Sequence, residues 1–365
     1  MSRYAKALSV LLAIVAVFAL AGCTPAQPAT QPTSPAAAAP SAPAPAQAPT
    51  QAGAAPTTAA AVSPTTAAAA PQVTQAKLTF GLAVHANPAV DPFWSVVLKG
   101  ANDAAATYGI TLKSGGNSDP VQQAQLVDTY TASKVDGLIV SLANPDALKD
   151  SVTRAVAAGI PVITINSGVD VYKQFGAITH VGQTERIAGQ GAGDQFNKAG
   201  AKKVLCVIHE EANIGLQQRC QGLQDTFKGQ TETFSVASTG VSDVAGTLSS
   251  LQNKITSDTS FDAILTLNPV IAIAARDAIK AANGKQTLGT FDLSPDVLDA
   301  ITNGQILFAI DQQQYLQGYL PVVFLYLYKT NLNTVGGGQP VLTGPGIVDK
   351  SNAAQIKALA AKGTR

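Results

Sequence analysis

From residue 78 onward, short apolar runs alternate with longer stretches whose apolar positions recur at helical spacing. Runs at 78–84, 110–113, 137–141, 162–165 and 177–181 predict buried β-strands. A second set at 203–208, 233–237, 263–266, 287–291 and 306–310 predicts five more. Between them lie helix-like stretches at 93–108, 120–133, 145–158, 184–198, 215–227, 244–256, 269–282 and 295–303. Strands separated by helix-length segments require right-handed crossovers and therefore parallel sheets. Two sets of five strands predict an α/β body made of two doubly wound lobes. The punctuation agrees: Ala158-Gly159-Ile160-Pro161 ends a helix and opens a strand, and Asn283-Gly284 closes another helix.

The first 76 residues follow a different pattern. Arg3 and Lys6 precede an uncharged apolar run over 7–22. That run is shorter than the roughly 20 residues a bilayer span requires. Small residues at its end predict a signal peptide over 1–22. Leu20-Ala21-Gly22-Cys23 resembles a bacterial lipobox, in which the cysteine is lipidated and becomes the mature N-terminus. The resemblance implies a lipid anchor on Cys23, with no spanning helix. The alternative is a plain secretory signal with an incidental cysteine. Residues 24–76 carry no charge and only Val62 and Val73 as larger apolar side chains. Such an Ala/Pro/Thr-rich segment cannot bury enough surface to offset its ordering entropy. It is expected to be a disordered, extended tether over 23–76.

The remainder of the 365-residue chain is long enough for two medium lobes. The formal net charge is +1, and Lys and Arg are scattered. This excludes the basic footprint of a nucleic-acid partner. Cys206 lies in an apolar strand and Cys220 in the helix that follows. An exported chain permits a disulfide between them; two buried thiols are the alternative.

In open parallel sheets ligands bind beyond the C-terminal strand ends. The segments that follow the predicted strands are informative. They contain His85 through Asp91-Pro92-Phe93-Trp94, then Asn144-Pro145-Asp146, then Asn166-Ser167-Gly168. The second set gives His209-Glu210-Glu211-Ala212-Asn213, Asn268-Pro269, Asp292-Leu293-Ser294 and Asp311-Gln312-Gln313. Taken singly, each Asp or Asn is a helix cap or turn former. Taken together, they place amides and carboxylates after nearly every strand. Such groups hold paired hydroxyls, and an aromatic face covers the C–H face of a sugar ring. The combination points to a neutral polyhydroxylated ligand, not to a phosphate or a metal.

Several segments resemble the type I bacterial periplasmic sugar-binding proteins of the ribose- and galactose-binding group, which feed ABC importers. They are Asp91-Pro92-Phe93-Trp94, Asp136-Gly137-Leu138-Ile139-Val140-Ser141, the run from Gly159 to Ser167, and Val181-Gly182-Gln183. His209-Glu210, Arg219-Cys220, Asn268, Phe291-Asp292 and Asp311-Gln312 extend the match across 76–340. The resemblance implies two lobes joined by a three-strand hinge, with 77–181 and 313–340 in the first lobe and 182–312 and 341–365 in the second. It implies that Asp91 bonds ring hydroxyls and that Phe93 and Trp94 sandwich the ring. Asn166 comes from the first lobe; Arg219, Asn268 and Asp292 come from the second; Gln312 is a hinge glutamine. Arg219 would donate a bidentate pair to the sugar, the alternative being a salt bridge to a neighbouring carboxylate. For Trp94 the alternative is plain core. His209, Glu210 and Asn213 share one loop and join the set. No cofactor or metal is implied.

The ribose-like branch carries Asp-Arg where this chain has Asn166-Ser167, which argues against a ribose-type pocket. The flat pair Phe93 and Trp94 points to an aldohexopyranose such as D-glucose; galactose, xylose, inositol and ribose are the alternatives. The expected partners are that monosaccharide and an ABC permease, with the protein a membrane-anchored, extracytoplasmic monomer. Presentation of the sugar to a membrane sensor is a second reading. Enzymatic readings are weaker. There is no Gly-x-Ser-x-Gly elbow or Walker loop, and His209-Glu210-Glu211 lacks the second metal-binding histidine. Gly189-Gln190-Gly191-Ala192-Gly193 sits within a predicted helix, not just after a strand as a dinucleotide fingerprint would. Asp91 and Asp292 as a glycosidase pair is the remaining enzymatic alternative.

Overall fold

The computed structural model describes residues 77–365. The expected signal peptide, Cys23 and the 23–76 tether lie outside the described residues. The first lobe opens with β1 (Thr79–Val84), α1 (Pro92–Tyr108), β2 (Thr111–Gly116), α2 (Pro120–Ala132) and β3 (Gly137–Ser141). It continues through α3 (Pro145–Ala157), β4 (Val162–Ile165) and β5 (Thr179–Gly182). The second lobe contains α4 (Glu185–Ala199), β6 (Lys203–Ile208), α5 (Ile214–Thr226), β7 (Gln230–Ser235), α6 (Val244–Ser257) and β8 (Ala263–Thr266). It proceeds through α7 (Pro269–Ala281), β9 (Thr287–Phe291), α8 (Pro295–Thr302) and β10 (Phe308–Asp311). The chain returns to the first lobe for α9 (Gln314–Asn331) and β11 (Val341–Leu342). It ends on the second with β12 (Gly346–Asp349) and α10 (Ala353–Ala361).

The sheets run β11-β5-β4-β3-β1-β2 and β12-β10-β9-β8-β6-β7. Pairing is parallel throughout except for β12 against β10. Each sheet is covered on both faces. The first packs α1 and α9 on one side and α2 and α3 on the other. The second packs α4 and α5 opposite α6, α7, α8 and α10. The central strands are therefore wholly buried and mostly apolar, which is why their runs were visible in the sequence.

Differences from the expected boundaries have local causes. Edge strand β7 of the second sheet begins at Gln230, and edge strand β2 of the first extends to Gly116. Their exposed positions carry polar side chains, so an apolar run marks only part of each. Helix α9 was not predicted; Pro321 lies inside it. It packs on α1 through two glycines, because a Cβ on Gly100 would strike the Tyr315 carbonyl and one on Gly318 the Val97 carbonyl. The return to the second lobe, expected at 341, comes later. Val341 pairs with Val181 in the first sheet, and the crossing follows Leu342.

Three chain crossings join the lobes, after β5, β10 and β11. Thr343 knits them: its N–H donates to the Gly182 carbonyl at 2.7 Å and its hydroxyl to the Gln312 carbonyl at 2.7 Å. Gln313 Nε2 donates back to the Thr343 carbonyl at 2.6 Å.

Gly189 and Gly193, in the motif that superficially resembled a nucleotide fingerprint, are the small-residue seam between α4 and α5. A Cβ on Gly189 would strike the Arg219 carbonyl, and one on Gly193 the Thr226 hydroxyl. From α5, a Cβ on Gly222 would strike the Arg186 carbonyl. The Cys206–Cys220 disulfide, with Cα atoms 5.9 Å apart, ties α5 to β6. Gly189→Leu is expected to destabilise the protein by roughly 1–3 kcal/mol through overpacking. Chemical denaturation checks this; an unchanged midpoint would show that the helices need no close approach.

Candidate functional site

All of the anticipated ligand-binding positions line one cavity between the lobes, at the C-terminal strand ends. Each lobe contributes equivalent positions because the two sheets share one strand order. The loop after β1 supplies Asp91, and the loop after β6 supplies His209, Glu210 and Asn213. Asn166 after β4 and Asp292 after β9 are counterparts, and both hold left-handed backbone, at φ 62° and 68°. Gln312 follows β10 in the hinge.

Capping and lining are carried by one side chain at several positions. Asp91 Oδ1 accepts from the Phe93 N–H at 2.9 Å and caps α1, while Oδ2 faces Asn268 Nδ2 at 3.5 Å. Asn268 Oδ1 caps α7 at 2.8 Å through the Val270 N–H. Asn213 Oδ1 caps α5 at 2.9 Å, and its Nδ2 donates to Glu210 Oε2 at 2.7 Å. The cap fixes the rotamer, so the second polar atom enters the cleft already oriented.

Contacts in the framework of the site are short, and some between side chains facing the cavity are long. Gln312 Nε2 donates to Asp292 Oδ1 at 2.7 Å, and Gln312 Oε1 accepts from Gln317 at 2.9 Å and from Asn166 at 3.1 Å. By contrast, Arg219 Nη1 stands 3.8 Å from Asp292 Oδ2. The lobes also touch directly around the cavity. The Ile214 N–H donates to the Ala143 carbonyl at 3.0 Å, Ser167 to Asn213 at 3.1 Å, and Gln218 to Asp170 at 2.7 Å. This is a closed arrangement.

Two expected roles change. Arg219 does not hold its bidentate fork toward the cavity. Nε and Nη2 donate to Glu185 at 2.6 and 3.1 Å, and both residues are essentially fully buried. The guanidinium lies 4.5 Å from the centre of the Phe291 ring. Glu185 opens α4, and the glycine seam brings α5 close enough for the pair to form; one edge, Nη1, is left facing the cavity. Phe93 and Trp94 do not sandwich a ring either. Their centroids are 5.0 Å apart at 80°, so adjacent helical residues form one aromatic corner. His85 meets Trp94 edge-on at 4.7 Å.

Burial sets the charges. It raises both Asp91 and Asp292 to about 7, although Arg219 pulls the second down. Burial also lowers His85 to about 3 and His209 to about 4, with the Arg219 charge acting in the same direction. The histidines are therefore neutral near pH 7, and the 3.6 Å approach of His85 to Glu210 is a dipolar contact, not an ion pair. Burial would discharge Arg219, but the Glu185 and Asp292 carboxylates hold it above its usual value.

Sequence reasoning missed three lining residues. His85 precedes the Asp91 segment and follows β1 directly, so its strand-end position was a usable signal. Leu216 and Leu267 carry no such signal, since apolar residues are ordinary beside strands and on helices. No cluster of metal-ligating side chains occurs among the described residues. No helix among them is long and apolar enough to cross a membrane.

The periplasmic binding protein domain matches residues 82–331, and the chain belongs to that family. A carbohydrate transporter from Acidothermus cellulolyticus, solved with myo-inositol, is 41% identical with a TM-score of 0.77. It covers 80% of this chain and 100% of that one. A xylose/arabinose-binding protein of Sulfolobus acidocaldarius is 27% identical over 65% of this chain and 63% of its own length, under two thirds of that relative. A ribose import binding protein of Haemophilus influenzae is 26% identical over 64% of this chain and 80% of its own.

Two outcomes follow from the electrostatics. Arg219→Met leaves Glu185 buried without its partner and is expected to cost roughly 3–5 kcal/mol; wild-type stability in urea would contradict the pairing. Asp292 has a folded pKa near 7 against an unfolded value near 4, so folding favours its protonated form between those values. Its ionisation therefore removes stability as pH rises from about 4 to about 7. Asp292→Asn, which cannot ionise, is expected to gain stability relative to wild type from pH 5 to pH 8. A pH-independent difference in unfolding free energy would contradict the raised pKa.

Proposed function

We propose that the protein is the extracytoplasmic capture component of an ABC importer and closes its lobes on a neutral six-membered ring polyol, with myo-inositol the first candidate. One observation carries the reading. One cavity is ringed from both lobes by oriented amides and carboxylates, with one aromatic corner. The 41% identical transporter with bound myo-inositol supports the choice of ligand. D-Glucose, expected from the aromatic pair, moves behind it for a chemical reason. Ionised Asp91 and Asp292 only accept hydrogen bonds. A cyclitol donates from every ring carbon, whereas a pyranose gives one ring position to an acceptor-only oxygen.

Capture proceeds by population shift. Open lobes expose two half-sites; the ring bridges them and selects the closed form. Its hydroxyls replace the long contacts from Asp91 to Asn268 and from Arg219 to Asp292. Closure excludes water and strengthens each new bond. A permease then reads the closed form. On the lipobox resemblance, acyl chains on Cys23 tether this body to the membrane through residues 24–76. The binding and transport names of the relatives favour this role over a glycosidase.

Calorimetry of the full-length protein with myo-inositol, D-glucose, D-xylose and D-ribose tests the proposal. Saturable binding of the cyclitol is expected, and no binding across the panel would sink it. Trp94→Ala should weaken binding at least about tenfold, or roughly 1.4 kcal/mol, while leaving the fold intact. Affinity should also rise from pH 5 to pH 8, because ring hydroxyls donate to the ionised Asp91 and Asp292.

A further inference from the structure

Glu185, the first residue of α4, is fully buried behind the cleft and does not line the cavity. Both of its oxygens meet donors. Arg219 Nε donates to Oε2 at 2.6 Å, and Nη2 donates to Oε1 at 3.1 Å. Gln183 Nε2, from the crossing that follows β5, donates to Oε2 at 2.9 Å. The third guanidinium nitrogen, Nη1, stands 3.8 Å from Asp292 Oδ2.

One buried cation therefore lies between two buried carboxyl groups, and its single charge balances only one of them. Glu185 holds it on two short contacts, the stronger bidentate geometry. Asp292 receives one long contact. Its other oxygen accepts from Gln312 Nε2, an uncharged donor, at 2.7 Å. From β10 it faces Asp311, a like charge that Arg365 pairs at 2.7 Å. Asp91 and Glu210 line the same cavity from the loops after β1 and β6. Burial raises Asp292 most, Arg219 lowers it, and Glu185 raises it again. Asp91 is raised by burial and by Glu210, and no hydrogen bond or ion pair joins it to Glu185 or Arg219.

We propose that Glu185 is a positioning residue of the ligand site: it competes with Asp292 for Arg219, leaving one guanidinium edge and one poorly compensated carboxyl to receive the ring. The inference rests on the ring-polyol reading above for the identity of the ligand. Because the competitor is a charge, neutralising it releases Arg219 to Asp292. Asp292 then ionises at lower pH and accepts ring hydroxyls there. Removing both members of the pair takes away the nearer attraction as well, so Asp292 then ionises at higher pH. Loosening of the cleft would act differently: it would admit water and lower Asp91 and Asp292 together.

The test follows the carboxyl ¹³C resonances of Asp91 and Asp292 in the full-length protein, each assigned by its Asn variant. It uses wild type, Glu185→Gln and the double variant Glu185→Gln/Arg219→Gln. The Asp292 midpoint, about 7 in wild type, is expected to fall by about one pH unit in the single variant and to rise in the double, with Asp91 unmoved. Calorimetry with myo-inositol gives the functional readout. The affinity of Glu185→Gln relative to wild type should be about tenfold higher at pH 5 than at pH 8. In an Asp292→Asn background the same substitution should give a ratio that is flat with pH.

An unmoved Asp292 midpoint, or Asp91 and Asp292 falling together in both variants, would overturn the inference and leave the ring-polyol reading intact. A shifted midpoint with a flat affinity ratio would confine Glu185 to the fold and would also overturn it. If Glu185→Gln does not fold, the double variant, which leaves neither charge of the pair behind, decides: a raised Asp292 midpoint supports the competition, and an unmoved or lowered one refutes it. If the midpoints move as expected but wild type binds no myo-inositol, the ring-polyol reading falls and the competition for Arg219 stands.

Discussion

A buried polar group must have a partner, and this requirement organises the cleft. Helix caps, the Glu185–Arg219 pair and the Gln317–Gln312–Asp292 chain satisfy one side of Asp91, Asn213, Arg219, Gln312 and Asp292 with contacts of 2.6–3.1 Å. What remains points across the cavity at 3.5–3.8 Å, beyond a good hydrogen bond. The lobes thus close on contacts that support the site's own framework but under-satisfy the groups facing the cleft. A ring of hydroxyls completes them. Binding and closure are one event because the same atoms serve both.

The support extends well behind the lining. Arg219 can be held by Glu185 only because α4 and α5 approach through Gly189 and Gly222. The Cys206–Cys220 bond ties the same helix to β6, whose end carries His209 and Glu210. At the hinge, Thr343 links all three crossings and shares the Gln312 backbone. Arg365 adds a further tie, donating to Asp311 at 2.7 Å and to Gln313 at 3.1 Å. Residues that never touch the cavity therefore set its geometry.

Much of this was legible in the sequence for identifiable reasons. Central strands are buried on both faces, so they read as unbroken apolar runs. Parallel order then sends every following loop to one edge, and the Asp and Asn residues in those loops mark the cleft. Edge strands β2 and β7 were read only in part because their exposed positions alternate with polar side chains. Helix α9 was hidden by Pro321 inside an otherwise apolar stretch. The roles of Arg219 and the aromatic pair failed differently. Sequence places them in the cleft, but only three-dimensional packing shows that Glu185 occupies the guanidinium fork and that Phe93 and Trp94 meet edge to face. Those are facts about neighbours distant in the chain or about rotamers, and no local pattern encodes them.

The most direct measurement is a crystal structure of the protein with myo-inositol. The account predicts ring hydroxyls about 2.6–3.0 Å from Asp91 Oδ2, Asn268 Nδ2, Arg219 Nη1 and Asp292 Oδ2, with the Glu185–Arg219 fork unchanged. A ring bound outside the cleft, or one that displaces Glu185 from Arg219, would contradict it.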